Sequence, residues 1–362
     1  MKRGKLRLKL FAAFVTAFLY VVFFPAASGK ELFLLRDWTA GLEDLSGPPR
    51  RAEANADAWS FRLAGRLGYI DAQGNILFHE NIAYDAAMGD DFFVNYSALP
   101  LNLIIRGRQG EFLANIGGNG YPFVKNGKLF LVSPDGHGLA RVDNDGNILW
   151  ERKFPSLITV ADAGEKSIVL GFLNGGIAVL GNDGDTDYEV PPERGGLPVT
   201  LQAGIAADAA RFAAVSGAAP QRLRLFAREA SGYAPVFEAE LRSSYRRAMV
   251  ARYFSLPDYF VFEQPGGAGV LQAEKRELSF VPLPGGLLAL ADERPGGLFL
   301  TMSASGGRMY CSAFLPDGNK AFTFSYTGSS AGREAAYSLR AAKDSFLLGA
   351  GTRLYRVTLG VL

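Results

Sequence analysis

The sequence predicts an all-β fold, on three observations. Short apolar segments of four to seven residues alternate with polar turns, as in Lys128–Val132, Gly138–Val142, Asn147–Lys153, Leu157–Ala161, Ser167–Phe172 and Gly176–Leu180. The breaks between them carry Gly, Asp or Pro, including Asn144-Asp145-Gly146 and Asn174-Gly175, which suit tight hairpins. Turn glycines also recur at 74, 110, 146 and 184, spacings of 36, 36 and 38 residues. Tyr69-Ile-Asp-Ala-Gln-Gly-Asn-Ile-Leu77 matches Arg141-Val-Asp-Asn-Asp-Gly-Asn-Ile-Leu149, and Ile105–Leu113 keeps the same frame. Four strands per repeat of about 40 residues predict the blades of a β-propeller, because one blade cannot cover its own faces. A β-sandwich also yields many short strands but has no reason to repeat at this spacing.

In chain order, Lys2, Arg3, Lys5, Arg7 and Lys9 precede an apolar run from Leu10 to Phe24 and small residues at Ala26 and Ser28. That order reads as a signal peptide over 1–28, cleaved after Ser28. The rival is an uncleaved signal anchor, since residues 10–27 are just long enough to span a bilayer. Either way the remainder is expected outside the inner membrane, periplasmic or secreted. Residues 29–57 read as a first strand, Glu31–Arg36, followed by a polar tether from Thr39 to Asp57. The propeller occupies 58–362. Weaker copies of the turn fall at Arg228–Gly232, near Glu274–Arg276 and at Leu315–Asn319. Seven marked turns predict seven blades; an eighth follows if Leu32–Arg36 and Thr352–Thr358 share one and latch the ring. Ala203–Ala214 is the best helix candidate, though strand–turn–strand fits it equally.

Composition narrows the partners. Of 362 residues 48% are hydrophobic and 20% charged, which suits a folded chain. Without residues 1–28 the body holds 33 basic and 36 acidic side chains, so a nucleic-acid partner is not expected. Cys311 is the sole cysteine and is expected as a buried small hydrophobe.

The segment Gly138-Leu-Ala-Arg-Val-Asp-Asn-Asp-Gly-Asn-Ile-Leu-Trp150 resembles the repeat of quinoprotein-type (PQQ-like) propellers, in which Gly opens a strand, Asp and Gly make the hairpin and Trp closes it. The copy at Gly74 has Phe78 in the Trp position, and later repeats look closer to WD40-like ones. The resemblance implies fold; it does not carry chemistry. Quinoprotein dehydrogenases of similar fold use a vicinal cysteine pair, which a single cysteine excludes.

Other motifs reduce to structure. Counted from Asp143, an EF-hand would need Gly and Glu where Ile148 and Phe154 stand, so no calcium site is expected. Gly328-Ser-Ser-Ala-Gly332 fits the nucleophile elbow, but His79 and His137 both precede it, against the chain order of that triad. Asn126-Gly127-Lys128-Leu129 lacks the Ser or Thr of a phosphate loop. No catalytic residue, cofactor or metal is therefore assigned. The most basic and aromatic stretch of the body supplies a candidate interaction patch: Arg242, Tyr245, Arg246, Arg247, Arg252 and Tyr253. The sequence reading is a monomeric, non-enzymatic scaffolding or protein-binding module of the cell envelope, similar in role to PQQ-like propellers that assist outer-membrane protein assembly. The alternative is a sensor or enzyme binding a small ligand at the channel mouth, which would need acids, His or Arg facing the axis.

Overall fold

The structure, a computed structural model, describes residues 32–43, 58–192, 198–218, 220–230, 232–255, 258–327 and 337–361. The signal-peptide segment, most of the tether and the Gly328–Gly332 motif lie outside the described residues. Two units are distinguished: a large one, Arg36–Thr358, and a small one whose described residues are Leu32–Leu35 and Leu359–Val361. In the small unit the Phe33 ring packs so closely on Gly360 that a Cβ there would lie 2.1 Å from it.

Every described element but one three-residue 3-10 turn is a strand, and the strands form eight antiparallel sheets, the blades of a propeller. Blade 1 holds Ala58–Leu63, Arg66–Asp71 and Ile76–Asn81. Blade 2 is Asp85–Met88, Phe92–Tyr96, Ile104–Gly107 and Phe112–Asn115; blade 3 is Tyr121–Lys125, Lys128–Val132, Gly138–Val142 and Ile148–Lys153. Blade 4 runs from Ile158–Ala163 through Ser167–Phe172 and Ile177–Gly181 to Thr186–Val190. Blade 5 comprises Thr200–Ile205, Arg211–Ser216, Gln221–Glu229 and Gly232–Leu241; blade 6 comprises Ala251–Phe254, Tyr259–Gln264, Gly267–Gln272 and Glu277–Pro282. Blade 7 is Gly286–Leu290, Phe299–Ser305, Arg308–Phe314 and Lys320–Thr327. Blade 8 takes Tyr337–Ala342, Ser345–Ala350 and Arg353–Val361 from the chain's end and its outermost strand, Leu32–Gly41, from the beginning. First strands of blades 2 and 3, 4 and 5, and 5 and 6 pack on one another, which puts them innermost.

Eight blades replace the seven that the turn count favours. Each expected blade was marked by a turn between its third and fourth strands, and blade 8 has no such turn because its fourth strand arrives from the N-terminus. Asp37 fastens that strand, accepting a hydrogen bond from Thr358 Oγ1 at 2.6 Å and pairing with Arg356 at 3.2 Å. Thr352 Oγ1 donates to Glu43 at 2.8 Å beside them. Blade 1 differs in another way. Its Asp71–Asn75 turn is the counterpart of Asp143–Asn147, so its three described strands match the second, third and fourth of other blades. The alanine-rich candidate helix is strand–turn–strand, Thr200–Ile205 and Arg211–Ser216, turning through Ala209 at φ +60°.

The core is a series of seams between neighbouring blades. One cluster joins Leu223 and Leu225 of blade 5 to Phe260 and Phe262 of blade 6; another joins Val94 and Ile105 of blade 2 to Leu129 and Leu131 of blade 3. Further clusters bridge blades 3 and 4, 4 and 5, 6 and 7, 8 and 1, and 1 and 2. Phe322 stacks on Phe346 across the joint between blades 7 and 8. Each fully buried Phe or Leu stabilises its seam by about 1.5–3 kcal/mol.

The repeat glycines serve those seams. Asp71 and Asp143 each accept two backbone N–H bonds across their turn, with Asn75 or Asn147 closing it by its side-chain amide, while Asp317 accepts from the backbone N–H and side-chain amide of Asn319. Glycine follows at left-handed φ: +89° at Gly74, +79° at Gly110, +81° at Gly146, +83° at Gly184 and +87° at Gly318. At blade 6 Arg276 takes the corresponding left-handed position at +58°, which is why the sequence signal fades there. On three of these glycines an aromatic ring from the preceding blade's outer strand comes down. A Cβ at Gly74 would lie 2.8 Å from Trp38, at Gly110 2.2 Å from Phe78 and at Gly184 2.6 Å from Trp150. Trp38 and Trp150 then donate from Nε1 to Ala72 O and Asn182 O at 2.9 and 2.8 Å, each two residues before the glycine.

Gly184→Ala must therefore both hold a left-handed φ and push an indole aside. Gly127, at φ +68° with open space around its missing Cβ, isolates the first cost. Gly127→Ala is expected to lose about 1–2 kcal/mol in urea unfolding, and Gly184→Ala about 1–3 kcal/mol more. Equal losses would count against the ring–glycine contact. Cys311 is fully buried in blade 7, and burial pushes its thiol up to about 12. It is expected to resist maleimide at pH 8 in the folded protein and to react on unfolding; rapid native labelling would contradict this packing.

Candidate functional site

Strands that alternate in direction send the connections between first and second strands to one face, together with the turns between third and fourth. On that face opens a cavity of about 1600 Å³, lined from all eight blades. Blade 2 contributes Gly89 and Asp90, blade 3 Lys125 to Gly127, and blade 4 Asp162 to Gly164. Seven blades bring the last residues of an inner strand, or the connection after it, to this cavity. Blade 1 brings the first residues of Ala58–Leu63 instead, as its second-strand position requires.

The cavity is charged, and its two sides differ. On the side of blades 2 to 4 the cations are matched: Lys125 pairs with Asp162 at 3.6 Å, and Arg108 pairs with Asp91 while donating to Asp90 O at 2.8 Å. The side of blades 6 to 8 carries Arg252, Arg294, Arg340, Lys343 and Arg356 against Asp292, Glu293 and Asp344. Asp292 is the hub. Arg340 donates to its Oδ2 at 2.7 Å, the Ala341 amide to Oδ1 at 2.9 Å, and Arg252 to its main-chain oxygen at 3.3 Å. Burial pushes the Asp292 carboxyl up, but Arg340, Arg252 and the Ala341 amide outweigh it and hold the group below the usual carboxylate range. Glu293 goes the other way, raised by burial and by the charges of Asp292 and Asp90.

Arg294 sits flat against the core, its guanidinium 4.5 Å from the Phe299 ring centroid and 5.5 Å from that of Tyr259. Among the described residues no carboxylate pairs with Arg252, Arg294 or Lys343. Three buried polar atoms on cavity-lining residues, Ser60 Oγ, Tyr253 Oη and Arg294 Nε, have no hydrogen-bond partner among the described residues.

The sequence-derived patch divides. Arg252 and Tyr253 belong to the inner strand of blade 6 and line the cavity. Arg247 forms a double hydrogen bond with the buried carboxylate of Glu263, at 2.9 and 2.6 Å, and lies over the Tyr245 ring at 4.8 Å. Tyr245 packs against the seam between blades 5 and 6, and only Arg242 and Arg246 of the six are left as exposed residues outside these contacts. His79, on the outer strand of blade 1, and His137, in a turn of blade 3, stay on separate blades, both half-buried. No group of three or more His, Cys, Asp or Glu among the described residues could hold a metal ion. No described helix is long and apolar enough to cross a membrane, and residues 10–27 are outside that description.

The opposite face holds what residue-type reasoning missed. There Tyr84, Leu99, Leu101, Tyr121, Leu157 and Leu173, of blades 2 to 4 and their links, stand exposed, Leu99 by 74%. They form a row. Tyr84 and Tyr121 flank Tyr96, with ring centroids 6.3 and 6.4 Å away. Leu157 reaches the turn at Gly136, and its carbonyl accepts the Leu173 amide at 2.9 Å. Their signal in the sequence is the surplus of leucine and tyrosine in turns where polar residues are usual.

On the cavity side, Asp292→Asn is expected to cost about 1.5–3 kcal/mol at pH 7 by weakening charged hydrogen bonds. A carboxyl held low in the folded state stabilises above its unfolded pKa, and that stability fades as pH falls through the folded value. The gap between wild type and variant in denaturant unfolding should thus narrow below about pH 4. A gap independent of pH would remove Asp292 as the charged hub.

Comparison with known proteins agrees with this geometry. A family model described as a beta-propeller protein matches residues 1–359. An uncharacterized protein of Treponema pallidum (strain Nichols) is 23% identical over 286 residues, 77% of this chain and 75% of that protein. Among solved structures, BamB from Moraxella catarrhalis superposes with a TM-score of 0.56 at 13% identity, over 90% of this chain and 100% of that one. The computationally designed Ika8 protein gives 0.61 at 13% identity, over 88% and 98%, and the Dos1 propeller 0.54 at 12%, over 91% and 95%. At such identities the likeness is one of fold.

Proposed function

This chain belongs to the β-propeller protein family, and from that premise we propose that it is a non-enzymatic protein-binding module of the cell envelope, exported by its N-terminal segment. The observation that carries the reading is the exposed row of Tyr84, Leu99, Leu101, Tyr121, Leu157 and Leu173. Isolated exposed leucines are ordinary, but six exposed leucines and tyrosines on one face of three adjacent blades are what a protein interface core requires. Tyrosine is favoured in such cores because it buries much area with few rotatable bonds. The occupant is an apolar segment of an envelope protein, and export rests on the basic-apolar-small order of residues 1–28. A rigid ring of blades presents such loops with little ordering cost on binding.

A photo-crosslinking residue placed singly at Leu99 and at Leu173 of the full chain, in cells, tests the reading. Both positions are expected to capture the same envelope protein, Glu189 on an outer strand is not, and Tyr121→Asp should abolish both adducts. Intact mass of the recovered chain should begin near Gly29 in an extracytoplasmic fraction, or include the whole N-terminus in the membrane fraction if the segment stays as an anchor. Different adducts at the two positions, or capture as strong at Glu189, would defeat the docking role; a cytosolic chain would defeat the export.

A further inference from the structure

We infer that the cavity wall of blades 6 to 8 is a second binding site, which takes an acidic peptide segment through Arg252, Arg294 and Lys343. It concerns the face opposite the apolar row and stands whether or not that row binds a protein. With Arg356 already paired to Asp37, four cations face three carboxylates, and this wall keeps a surplus positive charge. That surplus is not dispersed. Arg252 and Arg340 both meet Asp292, Arg294 follows two residues on, and the Lys343 carbonyl accepts the Gly296 amide at 3.2 Å, which ties the last cation to the same loop.

Asp292 neutralises Arg340 and leaves its neighbours to an incoming anion. Arg252 spends one N–H on a neutral carbonyl, and Arg294 is held by aromatic rings that cannot neutralise it. Guanidinium groups fixed this way meet a carboxylate without losing side-chain freedom.

Size and polarity select the ligand class. Pockets for small organic molecules usually enclose about 300–1,000 Å³ and are mainly apolar. This one holds about 1600 Å³ and is open and charged, so a loop or chain end of several residues fits better than a single compact molecule. Carboxylate side chains along such a segment match the arginines, and the mildly acidic body elsewhere on the protein would repel them. The cavity wall would thus concentrate an acidic segment where the rest of the surface does not.

Isothermal titration of the folded protein with acetyl-hexaglutamate amide tests this, with citrate and hexalysine as comparisons. Hexaglutamate should bind more tightly than citrate, weaken as salt rises and leave hexalysine unbound. Lys343→Glu, at an exposed turn, and Arg252→Gln should each weaken it about tenfold or more. Arg246→Glu, in the link between blades 5 and 6, should leave it unchanged. No hexaglutamate binding at millimolar concentration, or binding indifferent to Lys343→Glu, would overturn the site. Citrate binding as tightly as the peptide would overturn the peptide assignment in favour of a compact anion. Capture at Leu99 and Leu173 should be unaffected by Lys343→Glu, so the two readings fail separately.

Discussion

Every joint between blades depends on close approach of one sheet to the next, and the contact that sets it most tightly is an aromatic ring on a left-handed glycine. At Gly74, Gly110 and Gly184 the backbone does two things at once. It turns the hairpin at a φ that costs other residues energy, and it leaves bare the spot where Trp38, Phe78 or Trp150 lies. A methyl group there would spoil both. Because the seams hold nearly all the buried apolar residues, blade spacing is also core packing, and an error at one glycine is felt along the cluster beside it.

With stability placed in the seams, the two faces are free to differ. One gathers charge around the cavity, where short inner strands end and their connections begin. The other carries tyrosines and leucines in the links of blades 2 to 4. Asp292 stabilises its own neighbourhood, but the exposed leucines bury little and the cations around it outnumber what one carboxylate can offset. Residues that cost stability without contributing to packing are those a binding surface retains.

The fold was legible because its rule is local. The Asp-x-x-Gly-Asn turn records a φ, a hairpin and a repeat length in five residues, so the architecture could be read from Asp71–Asn75 and Asp143–Asn147 alone. The eighth blade was visible only as a possibility, since pairing Leu32–Gly41 with Arg353–Val361 is a contact across the whole chain that no local pattern encodes. Trp38 illustrates the gap: it occupies the Trp150 position of its blade, yet its Gly partner lies 36 residues downstream, in the next blade. The site was less legible still. Arg252 and Tyr253 were singled out for their composition, but what gives Arg252 its setting is Asp292, 40 residues away and on another blade. Arg247, equally basic in the sequence, is satisfied by Glu263, a distinction that only the packed structure draws.

The borrowed strand of blade 8 also sets the order in which the molecule can be completed. Residues Arg36–Gly41 leave the ribosome some three hundred residues before their partners in Arg353–Thr358. Seven blades can pair internally as they emerge, but the ring has an open edge throughout elongation, and a truncated chain keeps that edge unpaired for good. The fold itself therefore checks that synthesis has passed Thr358. The strand Leu32–Gly41 waits some three hundred residues for its partner, and only a chain that includes Arg353–Val361 can close the circle.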